Sequence, residues 1–103
     1  MSQKKFAKPI PETHHEIHPL ITERWSPRAF ADRPIEEDTL ARLFEAARWA
    51  PSSYNEQPWR FLYFHRGRDE GFHQLVECLS PGNQKWAAGA AVLMLAATST
   101  QFQ

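Results

Sequence analysis

The segment APSSYNEQPW, residues 50–59, places several hydrogen-bonding side chains between two apolar stretches. Between its two prolines it carries Ser52, Ser53, Tyr54, Asn55 and Gln57. Hydroxyl and amide groups both donate and accept hydrogen bonds, which is the chemistry of a polar binding loop. A plain turn is the alternative interpretation, because serine, asparagine and proline are common turn formers.

A second polar group lies in RWSPR, residues 24–28. Arg24 and Arg28 are four residues apart, with Ser26 between them and a proline that constrains the turn. Two planar, permanently charged guanidinium groups and a hydroxyl can converge on one phosphate. The alternative is a solvated loop whose arginines pair with nearby glutamates, and the residues alone favour that plainer interpretation.

The histidines and the cysteine are weaker candidates for a functional site. His14, His15 and His18 could share a metal ion, but no further firm ligand lies near and Pro19 follows at once, so we predict no metal site. Cys78 stands beside the apolar stripe of a predicted helix, and we expect it to be a small buried residue. As the single cysteine, it excludes an internal disulfide and fits a reducing cytoplasm.

Composition excludes several classes of partner. Twelve basic residues balance twelve acidic ones, so no net field attracts the chain to nucleic acid or to an anionic membrane. The longest apolar run, in residues 87–97, is shorter than the roughly 20 residues that span a bilayer. Hydrophobic residues make up 42% of the chain, which predicts a folded domain.

The elements that must position these groups follow from hydrophobic periodicity. Residues 36–49 give the clearest helix, with Leu40, Leu43, Phe44 and Ala47 on one face. A short helix within residues 16–24, beginning near a proline, precedes it. Strand 60–65, a third helix closed by a Pro-Gly pair, a helical turn near residue 86 and strand 90–98 follow. The third helix has an N-cap aspartate at residue 69 and the stripe Phe72, Leu75, Val76 and Leu79.

We therefore divide the chain into a flexible arm, residues 1–15, and one structural unit, residues 16–103. Both predicted strands are apolar on both faces, so each face needs cover. Two strands alone do not make an independently stable sheet. We expect another stretch of chain or a partner subunit to supply what these faces need.

RWSPRAF at 24–30, APSSYNEQPW at 50–59 and NQKW at 83–86, each in its place between helices and apolar strands, resemble the N-terminal half of the FMN-dependent nitroreductase family. The resemblance covers residues 17–98. It implies an α+β fold with helices packed around a mixed sheet, of which this chain holds about three helices and two strands. Members of the family are about twice this length.

The resemblance also implies a site. FMN would lie at the interface of a homodimer, with the ring against one chain and the phosphate held by the other. The ring would meet a loop of Pro51, Ser52, Ser53, Asn55 and Gln57; the phosphate would meet Arg24, Trp25, Ser26 and Arg28. Trp25 departs from the basic or small polar residue frequent at its position, so a backbone contact is expected there.

Asn83 and Lys85 complete the implied site. The amide would lie near the pyrimidine edge of the flavin, and the lysine would support negative charge on the reduced ring. A solvated pair on a helical turn is the alternative for the lysine. Electrons would pass from NAD(P)H to a nitroaromatic, quinone or similar acceptor, with no catalytic acid, base or nucleophile. The contrasting hypothesis is a non-catalytic half-domain that retains part of a flavin site.

Overall fold

The structure, a computed structural model, describes residues 11–101. In this range four helices and two strands follow one another, with a 3-10 helix, Ser53–Asn55, after the second helix. The order is α1 (Pro19–Thr22), α2 (Glu37–Ala47), β1 (Trp59–His65), α3 (Gly71–Glu77), α4 (Pro81–Ala87) and β2 (Val92–Thr98). The predicted short helix, long helix and two strands are confirmed in place. Residues 1–10 of the predicted arm lie outside the described range, and the division at residue 15 stays a prediction.

The two strands form an antiparallel pair in which Leu62 lies opposite Leu95 and Tyr63 opposite Met94. Since successive side chains point to opposite faces, residues 61, 63 and 65 share one face and residues 62 and 64 the other. Helix α2 packs on the first face, where the Phe44 ring lies 5.5 Å from that of Phe61 and 5.4 Å from that of Tyr63.

Helix α3 covers the second face near the C-terminal end of β1. The α-carbon of Gly71 lies so close to Phe64 that a β-carbon there would approach the ring to 2.3 Å. Helices on both faces of the sheet agree with the α+β fold that the resemblance implied. The buried apolar residues are few and belong to α2, to α3 and to α4 with its following turn: Leu40, Phe72, Val76, Ala87 and Ala90.

Helix α1 is a single turn that begins at a proline, as predicted. His18 stands before it, and its Nδ1 accepts a hydrogen bond of 3.1 Å from the backbone N–H of Leu20. This contact satisfies one of the donors that the first turn leaves unpaired. Within residues 11–101 no three metal-ligating side chains come together.

Three details differ from the predictions. Pro81 does not close α3 but opens α4, a helix of seven residues rather than one turn, because a proline at the first helical position has no backbone N–H to lose. Asp69 is not the N-cap of α3: its Oδ2 accepts a hydrogen bond of 2.8 Å from the His65 N–H and closes the preceding turn. Cys78 is exposed, because it follows the last residue of α3 on the side away from the buried stripe.

Much of the sheet lacks cover within residues 11–101, as the doubly apolar strands predicted. Leu62 is 57% exposed and its cross-strand neighbour Leu95 is 46% exposed. Both strands also have an open edge, since the sheet has two strands. An apolar face and unpaired backbone groups together favour association with another strand or chain. In the described range no helix is long and apolar enough to span a bilayer.

The contact between Gly71 and Phe64 predicts a size limit at the start of α3. Gly71→Ala should lower the free energy of unfolding by about 1–3 kcal/mol, because the added methyl group must displace an aromatic ring. Gly82→Ala is the matched control: nothing lies within 4 Å of its β-carbon position, and alanine favours a helix. Urea unfolding of both variants tests this. Equal stability of the two would contradict the close packing of α3 on β1.

The exposed leucine pair predicts self-association through the sheet. We expect the unsubstituted chain to sediment as an oligomer, and Leu62→Gln with Leu95→Gln to shift it towards monomer, because the two most exposed large apolar side chains of the sheet are replaced. Leu43→Gln, which alters a 55% exposed leucine on α2, is the control. Sedimentation velocity is the measurement. A monomer in every case would show that the sheet is not an association surface.

Candidate functional site

The loop between α2 and β1 has an unusual backbone. Three residues other than glycine adopt positive φ: Tyr54 and Asn55 at 53° and Gln57 at 47°. In this left-handed region a β-carbon crowds the following carbonyl, at a cost of about 1–2 kcal/mol per residue. Asparagine tolerates it best, whereas a bulky side chain such as that of Tyr54 seldom adopts it. Such conformations persist only where surrounding contacts impose them, and they cluster at binding sites.

Ser52 makes the main contacts that hold this loop. Its Oγ accepts a hydrogen bond of 3.1 Å from the backbone N–H of Gln57, and its carbonyl accepts one of 3.0 Å from the N–H of Asn55. The side-chain amides of Asn55 and Gln57 are joined by a bond of 3.1 Å from Nε2 to Oδ1. The predicted loop is therefore an ordered turn whose polar side chains first satisfy one another.

The same residues line an open hollow of about 370 Å³. Its walls come from the end of α2 and from the loop: Arg48, Trp49, Ala50, Pro51, Ser52, Asn55 and Gln57. Ser53 is exposed, and Tyr54 is 90% exposed, beside the hollow rather than in it. Five of the predicted flavin-loop residues thus lie on one short segment, and four of them line one concave surface.

The predicted phosphate residues lie elsewhere in the described chain. Arg24, Ser26 and Arg28 are exposed on the loop between α1 and α2, and Arg24 Nη1 donates to Ser26 Oγ at 3.5 Å. Trp25 is 49% exposed. None of the four lines the hollow of the flavin loop, whose lining comes entirely from residues 48–57. The two sets of residues do not meet within one chain at that hollow.

Asn83 and Lys85 lie on α4. The Asn83 Oδ1 accepts a hydrogen bond of 3.2 Å from Trp86 Nε1, so one end of this amide is already engaged. Lys85 is exposed in the last turn of the helix, where its positive charge interacts favourably with the helix dipole. Their predicted contact with a flavin stays a prediction.

A polar cluster that the sequence did not reveal joins the start of α2 to the end of β1. Glu37 Oε1 lies 2.8 Å from Arg68 Nη2 and 2.7 Å from His65 Nε2. Its Oε2 accepts a hydrogen bond of 3.2 Å from the Tyr63 hydroxyl. The contact with His65 Nε2 does not have the alignment of a hydrogen bond, and the imidazole side chain is only 9% exposed.

This cluster shifts the titration of its members. The hydrogen bond from Arg68 holds the pKa of Glu37 below its usual value, and the carboxylate in turn raises the pKa of Tyr63. A depressed carboxyl pKa means that the folded state favours the ionised form. The contribution of Glu37 to stability is therefore present above its ordinary pKa and is lost as the pH falls through the lowered one.

A larger hollow of about 520 Å³ lies beside the cluster. Most of its charged lining is already paired: Arg66 bonds to Asp32 at 2.5 Å and to the carbonyl of Gly89 at 3.0 Å, while Glu37 binds Arg68. It lies at the opposite end of α2 from the strained loop and contains none of the predicted flavin residues. The loop hollow is the better candidate site.

The chain is similar in sequence to a known family and to several known proteins. The model of the nitroreductase family matches residues 21–92. A protein of Streptomyces coelicolor whose inferred name is NADH dehydrogenase/NAD(P)H nitroreductase is 37% identical over 83 residues, which is 81% of this chain and 40% of that protein. A nitrobenzene nitroreductase of Ectopseudomonas oleovorans is 43% identical over 44 residues, covering 43% of this chain and 19% of that enzyme.

A solved structure agrees with the fold. The crystal structure of an oxidoreductase containing FMN superposes with a TM-score of 0.79 at 41% sequence identity, over 89% of this chain and 46% of that one. This chain thus spans less than half the length of these relatives. The superposition confirms the predicted nitroreductase-like fold and its partial extent.

The loop contacts predict unequal roles for two adjacent serines. Ser52→Ala should lower the free energy of unfolding by about 0.5–1.5 kcal/mol, since the partly buried N–H of Gln57 loses its acceptor. Ser53→Ala removes an exposed hydroxyl and should change stability by less than about 0.5 kcal/mol. Urea unfolding followed by circular dichroism compares them. A larger loss for the second variant would contradict the described loop.

Proposed function

This chain belongs to the nitroreductase family, and we propose that it forms the N-terminal part of an FMN-dependent oxidoreductase that passes electrons from NAD(P)H to a nitroaromatic, quinone or similar acceptor. The observation that carries the proposal is the left-handed backbone at Tyr54, Asn55 and Gln57, in a loop that Ser52 bridges and whose polar groups line a hollow. Strain of this kind is characteristic of sites shaped in advance for a ligand.

The donor and acceptor groups of the loop fit a flavin ring. Gln57 Nε2 donates to Asn55 Oδ1. The side-chain oxygen of Gln57, Oε1, and the side-chain nitrogen of Asn55, Nδ2, are left to bind a ligand. One acceptor and one donor on neighbouring amides suit a heterocycle with alternating carbonyl and N–H groups. Because the loop is ordered before binding, little conformational entropy would be lost on binding.

FMN, when bound, would supply the redox chemistry, namely hydride acceptance from a reduced nicotinamide and electron transfer to a second substrate. The protein residues bind and orient. Pro51 and Ser52 would fix the loop against the ring, and Lys85 would favour negative charge on the reduced pyrimidine portion. Arg24, Ser26 and Arg28 would hold the phosphate, with Trp25 contributing through its backbone.

The separation of the two residue sets supports a homodimeric site. The phosphate residues lie outside the hollow of the flavin loop in the same chain. In the proposed arrangement the ring rests on the loop of one protomer while the partner supplies the arginines. NAD(P)H as donor is supported by the inferred name of the Streptomyces relative, and a nitroaromatic acceptor by that of the Ectopseudomonas enzyme. A cytoplasmic location stays a prediction from the cysteine content.

The uncovered sheet favours a second candidate function. Leu62 and Leu95 are about half exposed, and the chain matches less than half of its relatives. A half-domain that retains part of the flavin site but does not turn over alone would have these properties. Purified protein distinguishes the two candidates: a yellow protein that oxidises NADH with added FMN supports the enzyme, and a colourless inactive one supports the half-domain.

The phosphate assignment predicts discrimination between two flavins. Arg28→Ala should weaken FMN binding by about tenfold or more and leave riboflavin binding nearly unchanged, because riboflavin has no phosphate to lose a charge-assisted contact. Arg42→Ala, which removes an exposed arginine of α2, is the control. Fluorescence titration with each flavin is the measurement. Equal weakening for both flavins would remove Arg28 from the phosphate site.

A further inference from the structure

We propose that Glu37 is a positioning residue for the flavin loop: by binding Arg68, His65 and Tyr63, it fixes the start of α2 against the end of β1 and thereby holds the backbone of residues 51–57. The inference rests on the proposed function only in calling this loop flavin-binding.

Helix α2 and strand β1 are joined at both of their ends. The two elements are consecutive and run in opposite directions, since Glu37 lies near the end of β1 while Phe44 lies beside Phe61 and Tyr63 in its middle. The loop therefore bridges one end of a helix–strand pair, and the Glu37 cluster joins the other end. The pair is connected at both ends, covalently at one and by charge at the other.

Few contacts other than Glu37 fix α2 on the sheet. In the described range its one buried side chain is Leu40, and its aromatic contact to β1 comes from Phe44. Leu43 is 55% exposed. An amphipathic helix held by so few apolar contacts can rotate or slide, whereas a carboxylate with three partners restricts both movements.

Movement of α2 would reach the loop directly. Only residues 48–58 separate the helix from β1, and three of them are in the left-handed region. Such a conformation needs its ends held, because the chain returns to an extended or right-handed conformation when they are free. The bond between Ser52 Oγ and the Gln57 N–H spans the turn and would report its opening.

The charged groups around His65 come from several elements. Around His65, the turn contributes Arg66, Arg68 and Asp69, β1 contributes Tyr63, and the opposing elements contribute Asp32, Glu36 and Glu37. Asp32 is committed to Arg66, and Asp69 to the turn that follows β1. Glu37 is the acidic group of this set that connects to α2 through hydrogen bonds and close charge contacts.

Amide hydrogen exchange on the full chain tests the inference. In Glu37→Gln, the amides of Asn55 and Gln57 should exchange about threefold to fivefold faster, the range expected for losing a half-exposed ion pair. The amides of the β1–β2 ladder, such as that of Leu62, should keep their rates. Glu36→Gln removes the same charge one residue earlier, where no side-chain contact is described, and should leave the loop amides unchanged.

A double-mutant cycle separates positioning from general loss of charge. Arg68→Gln should accelerate the loop exchange as well, and adding it to Glu37→Gln should give no further increase, since the ion pair between Arg68 and α2 is already lost in Glu37→Gln. Arg68→Lys, which keeps the cation, should restore most of the slow exchange. Multiplicative effects of the two single changes would overturn the proposal, as would equal acceleration across the sheet or uniformly fast exchange in the unsubstituted chain.

FMN titration of the same variants links the contact to the site. Glu37→Gln should bind FMN about threefold to fivefold more weakly than the unsubstituted chain does. Glu36→Gln should bind FMN with the affinity of the unsubstituted chain. Faster exchange of the loop amides in Glu37→Gln without any change in FMN affinity would overturn the link to the flavin loop. Absence of FMN binding to the unsubstituted chain would contradict the proposed function, and the exchange cycle would then decide the positioning role by itself.

Discussion

The left-handed turn after α2 can exist only while the helix and β1 are held at a fixed separation. Tyr54, Asn55 and Gln57 adopt backbone angles that cost free energy, and the bonds of Ser52 are too few to impose them on a free segment. The remaining constraint comes from the packing of Phe44 on the strand and from the charges around Glu37. The hollow, the arrangement of the amides and the proposed flavin contacts all follow from this one spacing.

The same packing explains why the unit is incomplete by itself. Helix α2 covers one face of the two-stranded sheet, and α3 covers only the far end of the other, where Gly71 meets Phe64. Leu62 and Leu95 are left about half exposed. In relatives about twice as long, further chain is available to pack on such surfaces. The apolar residues of both strands suit a larger domain of the nitroreductase family.

The local features of the fold were predictable from the sequence because they depend on near neighbours. The stripe of α2, the proline before α1 and the apolar strands are all patterns within one element. The polar loop between α2 and β1 was predictable from its residue types, but its left-handed backbone was not, since tyrosine and glutamine have no preference for positive φ. The predicted role of Asp69 was wrong because an aspartate suits an N-cap and a turn equally well.

The Glu37 cluster was beyond sequence reasoning because its partners are distant along the chain. Tyr63 is 26 residues from Glu37 and Arg68 is 31 residues away, so no local spacing indicates the contact. At the start of a helix a glutamate is sufficiently explained by the helix dipole. Only the antiparallel packing of α2 on β1 brings these residues together.

The most direct test of a preformed flavin loop is an FMN titration of the ¹⁵N-labelled chain followed by its amide resonances. The account predicts sharp, dispersed signals for residues 52–57 before FMN is added, with saturable shifts there and at residues 24–28 as it binds. Signals of residues 66–69, at the other end of α2, should move little. A loop that is averaged in the free chain, or shifts confined to residues 66–69, would contradict it.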